Sequence, residues 1–239
     1  MIYRVLLTAI FMFLVGCGST PQLPVSANNA ALSAQDKSIG VYLDTVPEPN
    51  LALPGANCLL CLAAAATANS GVMSFAKTLD TSDIQNLKTE VIESLQISGK
   101  QTLSIDEEID LRGLKKFKSD SNDMARRDHR ALGEHFGVDQ LFVIDVNAVG
   151  LVRSYANYVP TSPPLARVFG TAYVVDTTTN NYVWYEPIDI QLGVERGTWK
   201  EGPEYPSLTN AYYQVIEQLK DRVMATADQP KAGEVAIRE

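Results

Sequence analysis

Two cysteines three residues apart, Cys58 and Cys61, open the apolar run Leu59-Leu60-Cys61-Leu62 and the four alanines after it. Asn57 is placed to cap a short helix from Cys58 to about Asn69, which would put both sulfurs in its first turn. There they can close a local disulfide, stay as reduced buried thiols, or act as a redox pair, because a helix N-terminus lowers a thiol pKa. The redox use lacks a preceding strand of the kind that positions such motifs. His129 and His135 are six apart on an expected helix, so they face different ways and argue against a shared metal site. Asp106, Glu107, Glu108 and Asp110 form an acidic cluster, which the favourable field at a helix start explains without a catalytic role. No nucleophile elbow, phosphate loop or dinucleotide fingerprint frames the many serines and aspartates. The expectation is a chain with no catalytic residue, no metal and no cofactor, and not an enzyme.

Binding is the remaining class of function. The 239 residues carry 20 Lys+Arg against 28 Asp+Glu, a formal net charge of −8, which excludes a nucleic-acid partner because phosphate neutralisation needs a basic surface. Eight of the ten tyrosines and both tryptophans fall between residues 155 and 213. Strand propensity and core filling account for many of them. The segment from Arg153 to Pro164 is different, combining Arg153, Tyr155 and Tyr158 with three prolines in the manner of a rigid, exposed recognition loop. A second contact surface is expected around Leu59, Leu60 and Leu62, because a helix that is apolar all round must be covered by this domain, another copy or lipid.

The amino terminus points to a place in the cell. Met1 to Arg4 is short and singly basic, and Val5 to Val15 is apolar apart from Thr8, too short for a permanent span. Leu14-Val15-Gly16-Cys17 resembles the lipobox of bacterial lipoproteins. That resemblance implies a signal peptide at residues 1–16, cleavage before Cys17 and acyl chains on its thiol. Gly18 in place of Asp implies sorting to the outer membrane, with the protein facing the periplasm. Cleavage removes Arg4 and takes the net charge from −8 to −9, so lipid rather than electrostatics holds the protein to the bilayer. In an oxidising compartment a Cys58–Cys61 disulfide is the ordinary outcome. Residues 17–36 carry no charge before Asp36 and no sustained periodicity, and read as a lipidated cysteine with a flexible tether.

From Lys37 the periodicities alternate. Ile39, Val41 and Leu43 share one face of a strand. Residues 46–79 form an irregular insertion. Ser82 and Gln85 suggest a capping box for a helix carrying Ile84, Leu87, Val91 and Leu95 up to Gly99. A short strand is expected over 101–105, a short helix from Asp106 to Lys118, and a helix from about Asn122 to Phe136 with Met124, Ala131, Leu132 and His135 inward. Gln140 to Leu151 is mostly apolar and rich in β-branched residues, hence central in the sheet. Arg167 to Asp176 and Tyr182 to Val194 make a hairpin, with Ile188, Ile190, Leu192 and Val194 alternating against polar residues. Leu208 to Val223 is a final helix capped near Ser207, before a polar tail at 228–239.

This order, β-α-β-α-β-β-β-α, predicts a single α/β (α+β) domain over 37–227, with helices packed on a mixed, mainly five-stranded sheet. Together with Gly137-Val138-Asp139-Gln140-Leu141 and Val174-Val175-Asp176-Thr177-Thr178-Thr179 to Trp184, it resembles the αβ domain shared by the curli export lipoprotein, the lipoprotein activators of penicillin-binding proteins and the amino-terminal domain of TolB. The resemblance implies an assembly or accessory factor of an envelope complex, binding a protein partner or further copies of itself. A peptidoglycan- or glycan-binding module and a periplasmic thiol oxidoreductase using Cys58 and Cys61 are the alternatives.

Overall fold

The architecture is organised by one long strand. In the computed structural model, which describes residues 21–119 and 121–228, β4 (Gln140–Val152) runs through the middle of a six-stranded mixed sheet. Its lower half pairs in parallel with β1 (Ile39–Leu43), and β1 pairs in parallel with β3 (Thr102–Ser104). On its other side β4 pairs antiparallel with β7 (Leu165–Asp176), which forms a hairpin with β8 (Tyr182–Leu192). The sixth strand was not legible as one. β1 ends at Leu43 while β4 continues to Val152, and β2 (Asn50–Ala52), inside the expected insertion, fills the vacant edge beside Gly150–Val152. Gly150 makes this pairing possible: at φ 128° its backbone lies so close that a Cβ would come within 2.4 Å of the Asn50 carbonyl oxygen.

One face of the sheet is covered by two helices, α4 (Ser82–Ile97) and α6 (Pro206–Ala227). Ile84, Leu87, Val91 and Leu95 of α4 and Leu208, Tyr212, Val215, Ile216 and Leu219 of α6 are buried against Ile39, Val41, Phe142, Ile144 and Val174. The opposite face carries Leu141, Val143, Tyr173 and Val175, buried under Ile105, Ile109 and Ala125. Burial on both faces explains why β4 reads as a continuous apolar run rather than an alternating one.

The cover on that second face differs from expectation. Residues 106–118 are turns, not a helix, because their groups are held by the sheet and α4. The Ile109 amide donates to Tyr42 Oη (3.1 Å), and Lys88 donates to Asp106. The next helix, α5, spans only Arg130–Phe136. Upstream of it the chain is fastened to the β7–β8 turn: Ala125 and His129 amides donate to the Asn180 carbonyl and side chain, both at 2.9 Å. His129, rather than His135, therefore turns inward, 3.1 Å from Tyr173 Oη, while His135 is exposed beside Glu107. The helix starts also differ: α4 is preceded by Thr81 with Gln85 reaching back to its hydroxyl, and α6 begins at Pro206.

Residues 21–36, expected as tether, lie along the domain. Val25 bridges Tyr185 at the β8 edge, and α1 (Asn29–Ser33) buries Leu32. Carbonyls of this segment accept from Gln140 (3.1 Å, at Ala31 in α1) and Lys100 (2.7 Å, at Ala34 just after it).

Asp176 locks the β7–β8 turn. Its carboxylate accepts from Thr178 and Thr179 amides, the Thr179 hydroxyl and, at 2.5 Å, the Lys37 ammonium at the entry to β1. Burial pushes its pKa up, but these donors outweigh that and hold it below the ordinary 3.8. The stabilisation is complete above pH 3.8 and is lost as pH falls through the lower folded-state value. Asp176→Asn is expected to cost about 1–3 kcal/mol at pH 7. Urea unfolding at neutral pH checks this, and an unchanged midpoint would refute it.

Candidate interaction site

At the end of the sheet where β4 emerges, two uncharged segments meet. No charged residue occurs from 49 to 76 or from 154 to 166. The first holds α2 (Leu59–Ala68) and α3 (Ser70–Ala76), which meet at Asn69 with a 77° bend. The second holds a two-stranded ribbon, β5 (Tyr155–Ala156) and β6 (Val159–Pro160). No single helix among the described residues is long and apolar enough to cross a membrane; α2 and α3 together have the composition but not the straightness.

α2 is apolar on every side, yet it turns its small residues inward: Cys61 and Ala65 are buried. Leu59 is 89%, Leu60 73% and Leu62 46% exposed, and beside them on the ribbon Tyr158 is 56% and Val159 63% exposed. These five side chains form the apolar tip of the molecule. Cys58 and Cys61 are joined by a disulfide. Cys58 is also the cap of α2, its sulfur accepting from the Cys61 amide at 2.9 Å and lying 3.6 Å from Tyr158 Oη. The sulfur bridge thus fixes the first turn of α2 next to the ribbon.

Beneath the tip lies a polar fastening. Asn69 is buried; its amide nitrogen donates to Tyr155 Oη and to the Ala65 carbonyl, both at 2.6 Å, and its oxygen accepts from Arg153 at 2.7 Å. Arg153 also donates to the Ser162 carbonyl and stacks over Trp199 at 4.8 Å. A buried polar group is tolerable only when paired in this way. Phe75 packs on Tyr205 at 5.0 Å, tying α3 to the start of α6. Gly55 sits at φ 86°, where a Cβ would strike the Tyr155 carbonyl, so the turn after β2 is pressed against the ribbon.

The residues singled out in the sequence are thereby divided. Leu59, Leu60, Leu62 and Tyr158 are all exposed, on α2 and on the ribbon that Cys58 touches. Tyr155 is buried, and Arg153 donates to Asn69 and Ser162 and stacks on Trp199. Cys17 lies outside the described residues. Asn69 was missed, although it is an amide standing inside a long apolar run, which is a signal of an internal hydrogen-bonding role. Val159 was missed as well.

Tyr173, Tyr182 and Tyr185 pack on one another with centroids 4.8–6.1 Å apart, and burial raises the pKa of all three phenols. Among the described residues no group of three or more His, Cys, Asp or Glu side chains is arranged to hold a metal ion.

No protein-family model and no curated protein matches the chain. Among solved structures it is similar to the lipoprotein GNA1162 of Neisseria meningitidis, at 15% identity over 76% of this chain and 99% of that one, with a TM-score of 0.33. It is also similar to the PelC dodecamer of Paraburkholderia phytofirmans, at 10% identity over 89% of this chain and 95% of that one, TM-score 0.30. A third is protein XCC0632 of Xanthomonas campestris, at 12% identity over 80% of this chain and 98% of that one, TM-score 0.30.

Proposed function

We propose that this protein is a lipid-anchored lipoprotein of the outer membrane, facing the periplasm, which acts as an assembly or accessory factor of an envelope complex by binding protein through its apolar tip. The observation that carries the reading is the tip itself: three leucines, a tyrosine and a valine exposed on two uncharged segments of a chain with net charge −8. Fully exposing a leucine forgoes about 1.5–3 kcal/mol of burial, so such a cluster supports a contact surface. The lipobox at Cys17 supports the anchor. In this reading the Cys58–Cys61 disulfide is a clamp on α2 and no reaction is catalysed.

The test is the size of the protein extracted from membranes in mild detergent. Wild type is expected to run as a complex well above 26.1 kDa. Leu59→Ser with Leu60→Ser is expected to reduce that complex at least tenfold while leaving the domain folded, since both side chains are already in solvent. A wild type that extracts as a monomer would sink the reading. Acyl mass on Cys17 reports the anchor separately.

A further inference from the structure

We infer that the tip binds a second copy of this chain, α2 against α2, about a two-fold axis. The inference rests on the proposed anchoring and protein-binding reading and names the partner at that site.

Three features support a second copy. The first is where the anchor leaves the domain. Val25 is bridged to Tyr185, which pairs with Tyr173 and through it with Val143. The Pro21 carbonyl accepts from Arg126, and Gln22 donates to Asn122, beside the turn end of β8. From Val143 to Val152 β4 runs nine residues further towards the tip, about 30 Å at the rise of a strand. Cys17 and Pro21 are four residues apart, at most about 14 Å. The acyl chains therefore hold the molecule near the turn end, away from the tip. Confinement to a membrane raises the effective concentration of copies there.

The second feature is charge. Two processed chains of net charge −9 repel, and the tip is built on two segments without charge: 28 residues from Pro49 to Ala76 and 13 from Ser154 to Ala166 carry none. The third is shape. On α2 the outward leucines, Leu59 and Leu60, are followed one turn later by the exposed Ala63 and Ala64. In an antiparallel pair the bulky turn of one helix meets the small turn of the other, which is the self-complementarity a two-fold contact requires. The exposed fractions of the five tip side chains amount to roughly 600 Å² per copy, so two copies could bury at most about 1,200 Å², the lower bound of a standard specific interface.

The test uses the full-length, lipidated protein in intact cells. Ala63→Cys adds a thiol on the exposed face of α2, and Glu217→Cys adds one on the exposed face of α6 as a control. Under mild oxidation Ala63→Cys is expected to give a product of twice the protein's mass and Glu217→Cys none. Adding Leu59→Ser and Leu60→Ser to Ala63→Cys is expected to lower that product at least fivefold. A cross-link of any other mass would mean that a different protein covers the tip; the inference then fails and the protein-binding reading stands. No cross-link, with an environment-sensitive fluorophore at Ala63→Cys reporting a lipid surrounding, would mean that the membrane covers the tip; both readings then fail. No cross-link and a fluorophore in water also overturns the inference.

Discussion

Asn69→Ala is expected to cost about 3 kcal/mol, because one side chain fastens three elements. It holds the Arg153 guanidinium, the Tyr155 hydroxyl and the Ala65 carbonyl, and it stands where α2 turns into α3. Alanine would leave a partly buried cation and a buried hydroxyl without this partner, and desolvated groups lose more than the net worth of a hydrogen bond. The first consequence is local: α2 and the ribbon separate, and the tip loses its shape before the sheet melts. Limited proteolysis between residues 56 and 70 is expected to accelerate at denaturant concentrations that leave far-UV dichroism unchanged. Tyr155→Phe should cost less alone, and very little more when Asn69 is already replaced, because the two share one hydrogen bond. A loss under about 1 kcal/mol for Asn69→Ala would show that the fastening is incidental.

The largest loss of global stability is expected from Tyr212→Ala. Tyr212 is fully buried in α6, among the side chains that join both helices to the sheet, and its hydroxyl donates to the Asp80 carbonyl at 2.7 Å just before α4. Removal of a buried ring costs about 3–5 kcal/mol through lost transfer energy and the cavity left behind. For a domain of this size that is a fall in Tm of roughly 10 °C. Tyr212→Phe isolates the hydroxyl and is expected to cost about 1 kcal/mol, the net worth of one hydrogen bond. Calorimetry of the two variants separates the terms. Equal losses in both would mean that the hydrogen bond, not the ring, holds α4 to α6.

The amino-acid sequence by itself determined the elements whose periodicity records burial. Ile84, Leu87, Val91 and Leu95 recur at the helical period because α4 buries one stripe, and Ile188 and Ile190 alternate with Asp189 and Gln191 because that part of β8 is wet on one face. The length and apolarity of β4 placed it centrally, and the helices between early strands required parallel pairing, as the sheet has. Only the tertiary structure decided the rest. β2 is three residues long, and what makes it a strand is the edge that β1 leaves open, a fact belonging to β4. Residues 106–118 carry helix-like charge placement, but Tyr42 and Lys88 claim their polar groups and the second face of the sheet claims Ile109. The tether's lack of periodicity hid its docking, because Val25 and Leu32 are single contacts that leave no repeat. At the candidate site, composition marked α2 as a helix needing cover but could not say which side lacked it. With every position apolar there is no polar face to point outward. Packing against the buried Asn69 and Tyr155 admits the small Cys61 and Ala65 and leaves Leu59, Leu60 and Leu62 in solvent.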